Sequence, residues 1–104
     1  MRLALAQIDT TVGDLDGNRE LILSRMEEAR DAGADIVLFP ELAITGYPPE
    51  DLLLRPSFVH AAERSLAEVA KEARGIVAFV GVPHLDRDLY NGCAVCAGGE
   101  VKAI

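Results

Sequence analysis

No apolar run in this 104-residue chain approaches the roughly 18–20 residues that cross a bilayer. The first apolar stretch, Leu3–Ala6, is broken by Gln7 and Asp9, so it does not read as a signal peptide. Basic side chains are scarce. Ten Lys and Arg stand against seventeen Asp and Glu, a formal net charge of −7. No cluster of Lys and Arg is visible, which argues against the phosphate-binding surface that nucleic acid needs. The only cysteines are Cys93 and Cys96, and with no secretory leader both are expected to be reduced. The glycines form no G-x-G-x-x-G and no Walker motif, so the segment shows no nucleotide site of its own. No Ser/His/Asp constellation surrounds His60 or His84. There is no linker, repeat or low-complexity tract. These absences predict a cytoplasmic protein of one small domain, with no membrane and no nucleic-acid partner.

What is present is ordinary globular usage: half the residues are hydrophobic and about a quarter are charged. Residues 2–9 read as a strand with Leu3, Leu5 and Gln7 on one face. Thr10–Gly17 is a polar turn, and Asp16 is placed to cap the helix that follows. Leu15, Ile22, Met26 and Ala29 recur at helical spacing, and Gly33 stops that helix. Asp35–Phe39 is the next strand. Pro40–Pro49 is a loop, and Pro49-Glu50-Asp51 starts a short helix. From Pro56, the stripe Phe58, Ala62, Leu66, Val69 and Ala73 predicts a longer helix ending at Gly75. Ile76–Val82 reads as a buried strand and Asp86–Asp88 as a turn. Leu89–Ala97 and Glu100–Ile104 flank the hairpin signal Gly98-Gly99. Alternation of strand and helix followed by consecutive strands predicts an α/β fold with a mixed sheet.

Chemistry concentrates at Phe39-Pro40-Glu41-Leu42. The apolar run Ile36–Phe39 ends in a proline and then a carboxylate, as buried strands do when they deliver one charged group to a sheet edge. An acid there is expected to be partly desolvated and suited to moving protons. The bland reading is a loop glutamate or a structural ion pair. Cys93 and Cys96 form C-x-x-C inside a predicted strand, where side chains three apart point to opposite faces. That favours structural filler over a zinc site, which wants four ligands, or a redox pair, which wants a helix N-terminus. Glu50 and Asp51 fit helix-start chemistry better than a paired-carboxylate site. His60 lies off the apolar stripe and His84 falls in a predicted loop.

Phe39-Pro40-Glu41-Leu42 resembles the glutamate motif of the nitrilase (carbon–nitrogen hydrolase) superfamily. Thr45-Gly46-Tyr47-Pro48-Pro49-Glu50-Asp51-Leu52-Leu53 is more specifically similar to the N-terminal glutaminase domains of glutamine-dependent NAD synthetases. Arg2–Gln7, the turn Thr11-Val12-Gly13-Asp14 and Tyr90-Asn91 fit the same group, so the resemblance covers essentially residues 1–104. It implies part of a four-layer α-β-β-α sandwich, truncated after the first few β/α units. It implies a Glu–Lys–Cys triad hydrolysing the side-chain amide of glutamine, with Glu41 as general base and Tyr47 in the substrate pocket. Only the glutamate of that triad is carried over. Lys102 reads as a solvated strand lysine, Lys71 lies on the polar face of its helix, and neither cysteine aligns with the nucleophile. No metal site and no cofactor is expected in this segment. ATP and Mg²⁺ are implied for a synthetase domain beyond it, with that domain as partner and a homo-oligomer for the full-length protein.

Two other readings stay open. One is a different nitrilase-superfamily amidase. The other is a non-catalytic α/β module that pairs with a partner through an open sheet edge.

Overall fold

The computed structural model describes residues 1–104. Five strands form one mixed sheet in spatial order β1 (Leu3–Leu5), β2 (Ile36–Leu38), β3 (Val77–Asp86), β4 (Asp88–Ala97) and β5 (Glu100–Ala103). β1, β2 and β3 run parallel, joined by crossovers that contain α1 (Leu15–Asp31) and α2 (Pro56–Lys71). β3, β4 and β5 are antiparallel. The β4–β5 connection is Gly98-Gly99, with φ of +61° and +84°. Positive φ at both central residues is what a tight hairpin turn with the right twist demands, and glycine supplies it without strain. No helix is long and apolar enough to cross a membrane.

Both helices pack on the same face of the sheet. Ile22 and Met26 of α1, Leu66 and Val69 of α2, and Val37, Val80, Val82 and Cys96 of the strands share one buried cluster. Eight of its eighteen residues are alanine, so the few large side chains carry most of the buried apolar area. The structure thus contains two layers of the expected four. The other sheet face is apolar and open. Leu5, Leu38, Phe79 and Val95 are register neighbours across four strands, and Leu5 is 71% exposed. Leu3 and Leu5 do share a face, as expected, but it is this open one. Ala4, Ala6 and Ile8 pack toward the helices instead.

Several local expectations are corrected. The cap of α1 is Asp14, not Asp16: its Oδ1 accepts from the Gly17 amide at 3.0 Å. Asp16 already lies inside the first turn and pairs with Arg19 at 3.2 Å. α2 ends at Lys71 rather than running to Gly75, although Ala73 is still buried beyond its end. His84 lies in β3, opposite Tyr90, and not in a loop. β3 continues past Val82 because β4 pairs with it as far as Asp86, and Arg87 alone makes the turn at φ +65°. The short helix after Pro49 is a 3₁₀ turn, Glu50–Leu54.

One buried polar side chain ties the loops to this frame. Asn18 of α1 accepts from the Thr11 amide at 2.8 Å. Its Nδ2 donates to the carbonyls of Thr11 at 2.8 Å and Ile44 at 3.2 Å. The Gly13 amide donates to the Thr45 carbonyl at 2.9 Å. The turn after β1 and the loop after β2 are therefore stitched together through α1. Replacing Asn18 with Ala strands these buried groups, and we expect a loss of about 2 kcal/mol in urea unfolding. An unchanged unfolding midpoint would contradict the bridging role.

Candidate active site

Glu41 sits where β2 leaves the sheet. The Phe39 amide donates to the Phe79 carbonyl at 2.9 Å, and the Ile44 amide to the Gly81 carbonyl at 3.2 Å. Between these two anchors the chain arches over β3. The arch lies directly on Gly81. A Cβ there would fall 2.3 Å from the Leu42 nitrogen, 2.6 Å from the Pro40 carbonyl oxygen and 2.9 Å from the Glu41 carbonyl carbon. Only glycine lets the two backbones approach so closely. Leu42 then turns with φ +49°, a left-handed conformation that is strained for a bulky residue. The turn drives Ala43, Ile44 and Thr45 inward, all 0% exposed. The Thr45 hydroxyl can donate to the carbonyl of Leu42 or of Gly46, at 3.3 and 3.0 Å. Buried residues on its C-terminal side and hydrogen bonds on both sides thus hold Glu41 in place, while its own side chain points outward.

That side chain is exposed, which corrects the expectation of a partly desolvated acid. It pairs with no Lys or Arg, so it is free of a structural ion pair. Its one hydrogen bond comes from Asn91, whose Nδ2 donates to Glu41 Oε1 at 2.5 Å across 50 residues of sequence. Tyr47 is 62% exposed, and no hydrogen bond joins it to Glu41. Neither Glu41 nor Tyr47 lines a closed cavity. The nearest depression is an open groove of about 510 Å³ at the C-terminal ends of β1 and β2, running from Leu5 to Pro40. This is the end of parallel strands where α/β sheets place ligands.

The rejected candidates fall where the sequence put them. Lys102 is engaged with Glu100 at 2.6 Å, and that hydrogen bond and charge hold the Glu100 carboxyl below its ordinary value. Lys71 pairs with Glu68 at 2.9 Å on the α2 surface. His60 is exposed, 3.7 Å from Glu63. Cys93 is exposed and Cys96 buried, on opposite faces of β4. Asn91, to which strand reasoning gave no role, is the one side chain that hydrogen-bonds Glu41. Its one sequence signal was the Tyr90-Asn91 pair that fits the family resemblance.

Residues 2–102 match the Carbon-nitrogen hydrolase family model. The chain belongs to the carbon–nitrogen hydrolase family. It is 50% identical over 105 residues to the glutamine-dependent NAD(+) synthetase of Xanthomonas campestris, covering 99% of this chain and 19% of that protein. It superposes on the crystal structure of a glutamine-dependent NAD(+) synthetase from Cytophaga hutchinsonii with TM-score 0.92 at 33% identity, over 98% of this chain and 18% of the other. A glutamate-to-leucine variant of the amidase from Nesterenkonia sp. AN1, a nitrilase-superfamily enzyme, matches with TM-score 0.82 at 27% identity. That match covers 99% of this chain and 41% of the amidase, whose active-site cysteine carries the acetamide moiety of fluoroacetamide. The chain thus spans about a fifth of the length of the synthetases it matches.

Two predictions follow from this geometry. Gly81→Ala must push the Glu41 arch off β3, and we expect a cost of about 1–3 kcal/mol in chemical denaturation. A neutral substitution would mean that the arch is mobile. Burial pushes the Cys96 thiol up to about 11, with the neighbouring Cys93 adding to the rise. A thiol whose value is raised on folding stabilises the fold below its unfolded value, and that contribution disappears as pH rises through the folded one. Stability should therefore fall between roughly pH 9 and 11, by about 2–3 kcal/mol at most. Cys96→Val should flatten that decline, and an equally steep decline in the variant would refute the assignment.

Proposed function

We propose that this chain is part of a glutamine-dependent NAD synthetase and supplies the general base and one side of its glutaminase pocket. The observation that carries the reading is Glu41, an ion-pair-free carboxylate fixed at the end of a parallel strand in a chain half identical to such a synthetase. In this reading Glu41 takes the proton of a cysteine thiol supplied from outside these residues. The thiolate attacks the amide carbon of glutamine, and a lysine, also from outside, stabilises the oxyanion. The C–N bond breaks as Glu41 returns its proton to the leaving nitrogen, giving ammonia and a thioester. Glu41 then deprotonates a water, which releases glutamate and restores the thiol. Tyr47, six residues past Glu41 in an exposed position, would face the bound glutamine.

The synthetase partner domain would use ATP and Mg²⁺ to amidate deamido-NAD with this ammonia, within a homo-oligomer. In this reading ATP and Mg²⁺ belong to that domain and not to residues 1–104. These residues contain no cluster of three or more His, Cys, Asp or Glu that could hold a metal ion, and no glycine-rich phosphate loop. No step through those groups is derived for this chain.

The full-length protein tests the reading. Glu41→Gln should lower glutamine-dependent NAD formation about 10²–10⁴-fold, while NAD formation from added ammonium is retained. Undiminished glutamine-dependent activity would refute the base assignment. Ammonia released from simple aliphatic amides, with no synthetase activity in the same polypeptide or a partner, would favour an amidase instead. The isolated 104-residue chain should release no ammonia from glutamine above its Glu41→Gln control.

A further inference from the structure

The Glu41–Asn91 contact joins the two halves of the fold. Glu41 belongs to the crossover after β2, and Asn91 belongs to the antiparallel hairpin. The sheet register explains how they meet. Gly81 pairs with Cys93 and Pro83 pairs with Asn91, so Asn91 is the diagonal neighbour of Gly81 on the same face. The Glu41 backbone rests on Gly81. The amide is therefore one pleat away from the carboxylate, and its Nδ2 reaches Oε1. Neither side chain makes any other hydrogen bond.

We propose that Asn91 is a positioning residue for Glu41, an inference that rests on the reading of Glu41 as the base. A lysine or arginine in this place would neutralise the carboxylate and compete for it. A neutral amide fixes the rotamer without adding a charge. It occupies Oε1 and leaves Oε2 with its lone pairs free to accept a proton. A flexible, exposed glutamate would otherwise sample several rotamers, and only a near-attack geometry is productive. Pro83, the register partner of Asn91, is fully buried.

The test uses the full-length protein and steady-state glutaminase kinetics, with thermal unfolding of each variant. Asn91→Ala should lower kcat about 100-fold with KM for glutamine and the unfolding temperature unchanged. Asn91→Gln keeps the donor and should recover part of that loss. Asn91→Asp keeps the shape but sets one carboxylate against another, so it should fall below Asn91→Ala. Wild-type kcat in Asn91→Ala, with Glu41→Gln inactive, overturns this proposal and leaves the base assignment standing. Equal activity of the Asp and Ala variants also overturns it. Full activity in Glu41→Gln overturns both. Should Asn91→Ala fail to fold, the isosteric Asn91→Asp decides, and wild-type turnover in it refutes the positioning role.

Discussion

The arrangement depends on one backbone-to-backbone contact, the arch Pro40–Leu42 lying on Gly81. A crossover leaving β2 would ordinarily run clear of the sheet before entering a helix. Here it stays on β3, held by the Phe39 and Ile44 amides on either side. Everything around it serves that contact. Leu42 accepts a left-handed backbone so that Ile44 can reach the core. Asn18 Nδ2 donates to the Ile44 carbonyl, and the Gly13 amide donates to the Thr45 carbonyl. The result is an outward-pointing carboxylate on a backbone anchored on both sides. A left-handed Leu42 and the close approach to Gly81 coincide in this loop.

The sheet has a built-in asymmetry with the same logic. One face is closed by two amphipathic helices. The other carries an apolar row from Leu5 to Val95 that no element of residues 1–104 covers. The Glu41 arch and Asn91 lie on that open side of β3 and β4. A layer placed over the row would also enclose Glu41 and supply the desolvation that these residues do not provide. The second sheet of the four-layer sandwich expected of a carbon–nitrogen hydrolase would be such a layer, and its packing would bury the row as a second core.

Much of this was legible in the chain because the signals were local. Alternation and helical spacing located every strand and helix in order, and Gly98-Gly99 marked its hairpin. The opposite exposures of Cys93 and Cys96 followed from strand periodicity alone. Strand-end reasoning singled out Glu41 but expected it to be partly desolvated, and its side chain is exposed, since desolvation is set by what packs over a residue, not by what precedes it. The Asp16 cap failed because the deciding carboxylate, Asp14, stands two residues earlier. His84 was misplaced because β3 is lengthened by its partner strand. Asn91 could be noticed as part of Tyr90-Asn91 but not given a partner, because a contact across 50 residues exists only once the register of β3 and β4 is fixed.

The central claim is that Glu41 is held to exchange a proton with a thiol. A crystal structure of the full-length protein tests it most directly, through the distance from Glu41 Oε2 to the nearest cysteine sulfur. The account predicts contact within about 4 Å, with Oε1 still bound by Asn91. A Glu41 carboxylate turned to solvent, or enclosed by side chains that include no thiol, would contradict it.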